Sequence, residues 1–508
     1  MKKALITTVA GLMLLAIGIE PLLRSLRQDI QSSREDSASA EPGRRTRAVS
    51  CWFSDGWLQR SDCAWLYPSL QGEARTALPV VVLRAGLWSR SAAATVYLSG
   101  GPGGSSYLYE EAMPFWRDWM RRLRLDHDLV LFDPRGTGFA VPSLGCPEAD
   151  ETYLRLLVDG ASDAEIAEQV QPLMRACAEQ LPEGERREGL YSTRTAAQDL
   201  RELVRALREE FGYSEIRLYG ASYGTRLAQV ALAEPLPEVS RVVLDGFYPA
   251  GTDLLPRFAD DFAAVLAGLD ARCAQQPECA GPHASLRRLL DAALERLGDA
   301  AVRVELPEPL SLPGFEETPV RALSLRASGL FAVLESEIVV GRSPLELRQL
   351  LEAARDGRFE QRWPEAVADW LWMQVDPSFS VLTQSLVECR DNPPYTRGLE
   401  AEMLARHPQW SRVLALPELA FEACDQLGVR PQPLAASVIE QPVLLLGAEF
   451  DTRTPTTVAL EAARGFAQLS TLVLPITGHG LTDIDDCAAV MAGRFLNAGE
   501  VPAAGSCR

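Results

Sequence analysis

The sequence predicts an α/β protein, a mostly parallel sheet flanked by helices and interrupted by a large helical insertion. Three observations carry that expectation. Short β-branched runs alternate with longer amphipathic segments through both ends of the chain, the pattern of a parallel sheet covered by helices. Gly220-Ala221-Ser222-Tyr223-Gly224 sits between a strand-like run, Glu215 to Tyr219, and a helix-like segment beginning near Thr225. From about Ala250 to Gly428 the rhythm changes to helices, with no regular strand expected between neighbours.

In chain order, residues 1–50 read as an export signal or N-terminal anchor followed by a linker. Lys2 and Lys3 precede an apolar run, Ala4 to Ile19, which Glu20 and Pro21 end. The run is short for a membrane-spanning helix, which needs about 20 apolar residues, and long for a signal-peptide core, so cleavage and anchoring both stay open. Gln28 to Arg47 is polar and rich in Ser, Arg and Glu, the composition of a disordered linker. Residues 51–249 form the first part of the core, with strands at Leu78 to Arg84, Thr95 to Leu98, Leu129 to Phe132, Ile216 to Tyr219 and Val239 to Leu244. Asp199 to Glu210 has helical spacing and precedes the central strand. Residues 250–428 are the helical cap, with helices at Ala284 to Leu297, Pro344 to Ala354 and Pro364 to Val375. Residues 429–508 return to the sheet through Val443 to Leu446 and Leu472 to Leu474.

Bulk composition narrows the function. The 508 residues carry a formal net charge of −19, which argues against nucleic acid as a partner. Lys2 and Lys3 are the only lysines, so Ser–Lys catalysis, Schiff-base chemistry and a P-loop lysine are excluded from the body of the chain. Ten cysteines all lie at or beyond Cys51, and an even count in an exported chain suggests disulfides. Local closure would pair Cys51–Cys63, Cys146–Cys177, Cys273–Cys279, Cys389–Cys424 and Cys487–Cys507, one of many connectivities the sequence allows. No CxxC pair exists, and Cys273, Cys279 and His283 lack an obvious fourth ligand nearby. No metal and no cofactor are expected.

The Gly-x-Ser-x-Gly turn has a chemical reading. Flanking glycines permit a sharp turn that lifts the Ser222 hydroxyl above the sheet edge. Serine needs a base, and His479 lies downstream after Asp451 in the order nucleophile, acid, histidine. Asp483, Asp485 and Asp486 compete with Asp451, but they fit a helix start better. His127, His283 and His407 read as structural. The backbone N–H of Tyr223 and that of Gly101, in the run Gly100-Gly101-Pro102-Gly103-Gly104, are the expected oxyanion donors. Asp133 and Arg135 read as a buried ion pair bracing a turn. Trp363, Trp370 and Trp372 could line a pocket, although aromatics on an amphipathic helix are more often core.

Taken together, these motifs resemble the proline iminopeptidase and tripeptidyl aminopeptidase group of exported α/β-hydrolases. The resemblance rests on Ser99-Gly100-Gly101-Pro102-Gly103, Asp133-Pro134-Arg135-Gly136-Thr137-Gly138, Asp199-Leu200, the Ser222 turn, Val243-Leu244-Asp245-Gly246, Gly447 to Pro455 and Gly478-His479-Gly480. Ser99 is a departure, since many relatives carry histidine there. The resemblance implies an α/β-hydrolase fold with a cap over the nucleophile, and an exported serine exopeptidase that trims residues or short peptides from free N-termini. Val387-Glu388-Cys389-Arg390-Asp391-Asn392 resembles the family's acidic cap segment, making Asp391, and second Glu388, candidates for binding a protonated amine. A solvated loop carboxylate is the competing reading of both. An esterase or lipase-like enzyme would use the same triad, so the substrate is a peptide or a small ester. The expected location is periplasmic or extracellular, with membrane contact only through the N-terminal segment; oligomeric state is unreadable.

Overall fold

The computed structural model describes residues 44–508 apart from 57–58, 73–74, 87–90, 280–284, 313–318, 375, 377, 393–396, 411–412, 414–423, 425–426, 502, 504–505 and 508. The apolar N-terminal run and most of its linker, with His283, lie outside the described residues.

Eleven strands occur among them: β1 (Thr46–Val49), β2 (Ser61–Leu66), β3 (Leu78–Leu83), β4 (Ala93–Leu98), β5 (Asp128–Phe132), β6 (Glu215–Ala221), β7 (Val239–Asp245), β8 (Val302–Leu310), β9 (Val320–Leu325), β10 (Pro442–Phe450) and β11 (Gln468–Thr477). Nine of these form one sheet in the order β1-β2-β3-β5-β4-β6-β7-β10-β11. From β5 through β11 the neighbours are parallel, whereas β1, β2 and β3 join antiparallel at one edge. Alternation along the buried strands fills both faces. Val80, Val82, Val96, Leu98 and Leu218 pack with the helix Thr193–Glu209 on one side. Val81, Leu83, Leu129 and Leu131 meet Trp116, Trp119 and the C-terminal helix on the other. A period of two, both phases apolar, is the signature of a parallel sheet covered on both faces.

Three features depart from the sequence reading. β1 and β2 were not expected, because their residues alternate partly polar at the sheet edge and rely on Cys51–Cys63 to hold the turn. β8 and β9 form a separate antiparallel hairpin inside the insertion, where Glu305, Pro307, Glu308 and Pro309 mask the strand pattern. The cap also draws on a second segment, the helices Pro147–Asp159 and Asp163–Glu179 between β5 and β6. Leu154 packs with Leu312, Val320 and Leu371, and Cys146 and Ala178 with Leu382, Leu386 and Cys389. Trp363 and Trp370 are buried in the cap core beside Phe262, Phe331 and Trp410, and Trp372 packs half-buried at its edge.

All five disulfides form with the pairing expected from local closure. They suggest an extracytoplasmic protein. No described helix is long and apolar enough to cross a membrane.

Candidate active site

The turn at the end of β6 is as sharp as its glycines allow. Ser222 has φ 52° and ψ −120°, a conformation that costs an L-residue of order 1–3 kcal/mol and persists only where its surroundings enforce it. Enforcement comes from both sides. The Ser222 N–H donates to the Asp245 carbonyl at 2.8 Å, and the Thr225 N–H to the Ser222 carbonyl at 2.9 Å. A Cβ on Gly224 would lie 2.0 Å from the Leu98 carbonyl oxygen, and one on Gly220 would lie 2.7 Å from that of Gly224. Only glycine lets the elbow helix Tyr223–Ala231 start this close to β4. Tyr223 is the first residue of that helix, where early N–H groups have no intrahelical acceptor.

The glycine turn after β4 lies against the serine. A Cβ at Gly100 would sit 3.2 Å from the Ser222 Cβ. Gly101 follows with φ +113°, and its added Cβ would meet the Gly103 and Gly104 nitrogens at 2.8 Å. Ser99, the departure from the family pattern, donates its hydroxyl to the Gly104 carbonyl at 2.9 Å and so closes the turn. From the cap, the Ser380 N–H donates to the Gly103 carbonyl at 2.9 Å, and Phe379 packs over Gly101.

His479 and Asp451 come together from the ends of β11 and β10. The His479 Nδ1 to Asp451 Oδ2 distance is 2.8 Å. The other carboxylate oxygen accepts the Arg453 and Thr454 N–H groups at 2.8 and 3.0 Å, and the Thr454 hydroxyl donates to Oδ2 at 2.9 Å. Asp451 is therefore held as a buried acceptor aimed at the imidazole. Burial pulls the His479 pKa down, and the charge and hydrogen bond of Asp451 more than offset it, leaving it raised above the ordinary imidazole value. Among the described residues no hydrogen bond joins the Ser222 hydroxyl to His479, a looseness common in free enzymes.

Two neighbours that sequence reasoning left without a role set the ring's place. Gly246 follows the residue that bonds Ser222, and a Cβ there would lie 2.8 Å from His479 Cε1 and 3.0 Å from Nδ1. The imidazole thus rests on a bare backbone beside the elbow. Asp245 accepts the Leu481 and Thr482 N–H groups at 2.7 and 3.1 Å and the Tyr219 hydroxyl at 2.6 Å. It clamps the turn that follows His479. The signal available in the sequence was the Asp-Gly pair at a strand end.

Arg135 forms its buried ion pair with Asp199, at 2.6 and 2.7 Å, rather than with Asp133. Asp133 instead accepts the Ser106 and Phe139 N–H groups, which corrects the pairing expected within one turn. His127 is buried against Thr95 and Arg217, and His407 bonds Asp260 and stacks on Trp410. Asp485 caps the helix Asp486–Ala498.

The two acidic cap residues differ in access. Asp391, at the end of the helix Val381–Asp391, is 2% exposed. Its Oδ2 accepts from the Thr193 hydroxyl, which also bonds the Tyr223 phenol at 2.7 Å. Its Oδ1 has no hydrogen-bond partner among the described residues. Glu388, one turn earlier, keeps 29% of its side chain open and accepts from the Tyr248 hydroxyl at 3.2 Å and from the Asn392 amide. Arg226, on the elbow helix, lies over the Tyr248 ring at 3.4 Å and 4.0 Å from Glu388.

Burial pushes the Asp391 pKa up to about 6, against the Thr193 hydrogen bond and Arg226, with Glu388 adding to the rise. A carboxyl whose folded pKa is raised contributes stability that is present below its unfolded pKa and lost as pH climbs through the folded one. Asp391→Asn removes that dependence. The stability of the variant relative to the parent is expected to rise between pH 4 and pH 7.5 by about 2 kcal/mol, since one pKa unit is worth 1.36 kcal/mol and part of the effect already lies below pH 4. Denaturant midpoints at the two pH values measure it; a constant difference would place the cost elsewhere.

A parallel sheet with a strained strand-to-helix turn at its centre defines a class, the α/β-hydrolase fold. Residues 95–483 match that family, and the chain belongs to it. Over 189 residues it is 30% identical to the serine protease Hip1 of Mycobacterium tuberculosis (strain ATCC 25618 / H37Rv), a stretch covering 35% of each protein. The chain thus spans about a third of that relative's length. Among solved structures it is similar to an esterase from Exiguobacterium antarcticum, with 13% identity, 84% of this chain and 98% of that one covered, and a TM-score of 0.37. It is also similar to a proline iminopeptidase from Mycobacterium smegmatis, with 12% identity, 86% and 97% covered, and a TM-score of 0.36. Likeness at that level adds nothing beyond the family.

Proposed function

We propose that the protein is an exported serine aminopeptidase, acting outside the cytoplasm, that releases single residues or short peptides from free N-termini. The observation that carries this reading is the left-handed Ser222 at the β6 elbow beside a His479 imidazole oriented by Asp451.

In this reading Ser222 Oγ attacks the scissile carbonyl carbon and its proton passes to His479 Nε2. Asp451 holds the Nδ1 proton and stabilises the imidazolium. The carbonyl oxygen, now an anion, takes hydrogen bonds from the Gly101 and Tyr223 N–H groups. As the C–N bond breaks, His479 returns the proton to the leaving amine, and water then cleaves the acyl-enzyme by the same route. Glu388, the more accessible carboxylate, faces the substrate's ammonium group, with Asp391 behind it. Support for amine recognition comes from the chemistry of two cap carboxylates one helical turn apart and held largely out of water, where an opposite charge is worth more than in water.

The test is hydrolysis of paired aminoacyl and tripeptidyl amides, with and without an N-terminal block, beside a short-chain ester. Turnover restricted to free-amine amides, and lost in Ser222→Ala, is the expected result. Equal turnover of blocked amides and the ester would sink amine recognition and leave a general esterase.

A further inference from the structure

One cap helix, Ala327–Val339, is fastened to both turns that supply the base and its acid. Toward the acid turn, Glu335 Oε1 accepts the Thr452 hydroxyl at 2.9 Å and Oε2 accepts Arg453 Nη2 at 2.6 Å. Thr452 and Arg453 directly follow Asp451. Toward the base, the Val339 carbonyl accepts the His479 N–H at 3.0 Å. Three residues past the helix, the Arg342 carbonyl accepts the Thr477 hydroxyl at 2.6 Å. The helix is itself immobilised, with Leu330, Phe331, Val333, Leu334 and Ile338 in the cap core. On this side the cap is a brace for the catalytic loops.

The Glu335–Arg453 pair is asymmetric. The Glu335 side chain is 7% exposed and that of Arg453 56%. A guanidinium two residues from the acid sits within electrostatic reach of the imidazole, and among the described residues its salt-bridge partner is Glu335 of the cap. We propose that Glu335 is a positioning residue of the triad: it anchors the acid turn through Thr452 and Arg453 and offsets the Arg453 charge at His479. This rests on the reading of Ser222, His479 and Asp451 as the triad.

The charges facing His479 come from several elements. Asp451 and Arg453 lie on the acid turn, Asp245 at the end of β7, and Asp483 in the turn after the base. From the cap helix Glu335 acts through Arg453, while Glu337 is paired with Arg342 at 2.8 Å. Beyond burial and Asp451, Arg453 lowers the His479 pKa and Asp245 raises it. The sign follows. The base works only when neutral, so the acid limb of the rate profile tracks its pKa. Leaving Arg453 uncompensated disfavours the imidazolium and moves that limb to lower pH. Removing Arg453 moves it to higher pH.

The experiment is the rate of Ser222 labelling by a fluorophosphonate against pH, which needs no particular substrate, on the mature chain and on Glu335→Gln, Arg453→Gln and the double variant. Glu335→Gln is expected to shift the limb down by about 0.5 pH unit, Arg453→Gln to shift it up by a similar amount, and the double variant to return close to the parent; a charge at such range in a mixed protein–water medium is worth about that much. Because Arg453 is largely solvent-exposed, its variant keeps the test decisive if Glu335→Gln does not fold. Limbs that superimpose in both single variants, or a uniform loss in Glu335→Gln with no shift, would overturn the proposal. Labelling that survives in Ser222→Ala would instead overturn the triad reading on which it rests.

Discussion

Asp451→Asn is expected to lower kcat about 10,000-fold while leaving the fold intact, the size of loss seen when the acid of a serine triad becomes an amide. The geometry says why the fold should survive. The Asn carbonyl oxygen can still accept the Arg453 and Thr454 N–H groups that Asp451 Oδ1 accepts at 2.8 and 3.0 Å, so the acid turn keeps its backbone anchors. The amide nitrogen then faces His479 Nδ1 at the 2.8 Å now spanned by Oδ2. A donor at that place requires Nδ1 as acceptor, which puts the ring proton on Nε2. The base is then in the wrong tautomer to take the Ser222 proton, and the charged form loses its counter-ion. Two readouts check this: kcat on the preferred substrate, and the Ser222 labelling rate, both at fixed thermal midpoint. A loss under tenfold would mean that another carboxylate, with Asp245 the nearest candidate by its clamp on the following turn, supports the imidazole.

What the sequence made legible is what local geometry encodes. The Ser222 elbow and the glycine turn announce themselves because only glycine tolerates the contacts at Gly101, Gly220 and Gly224, and those glycines stand within a few residues of the groups they serve. The buried strands are equally plain, since both phases of their alternation are apolar. Contacts set by tertiary packing were not. Arg135 finds Asp199, a partner 64 residues away, where proximity in the chain favoured Asp133. The Glu335 brace crosses 118 residues to Arg453, and no periodicity marks either end. The hairpin β8–β9 is hidden by prolines and outward charges, and the part played by the helices of 147–179 is not legible, because their apolar stripes say nothing about which layer they cover. Asp391 shows the same limit: its place after a cysteine pointed to a cap carboxylate, but only packing reveals that it accepts from the Thr193 hydroxyl, which links it to the Tyr223 phenol.

Gly101→Ala is expected to cost about 100-fold to 1,000-fold in kcat, the range for losing one oxyanion donor, with little change in KM. Two constraints combine at this residue. Its φ of +113° lies where an L-residue is strained, and a methyl group there would meet the Gly103 and Gly104 backbone nitrogens at 2.8 Å. Neither nitrogen is the tip of a flexible side chain, so relief must come from opening the turn. Opening is resisted elsewhere. Ser99 bonds the Gly104 carbonyl, Ser380 of the cap bonds the Gly103 carbonyl, and Phe379 lies 3.4 Å from the same added carbon. The displacement therefore falls on the Gly101 peptide, whose N–H, in the proposed role of oxyanion donor, would meet an oxygen that becomes an anion only in the transition state. Ground-state contacts made by the cap are untouched, and that is why the loss should appear in kcat. Parallel fluorophosphonate labelling should slow with it, because the phosphonyl oxygen uses the same donors. A variant that keeps kcat but raises KM would show that the turn binds substrate instead, and the oxyanion role of Gly101 would fall.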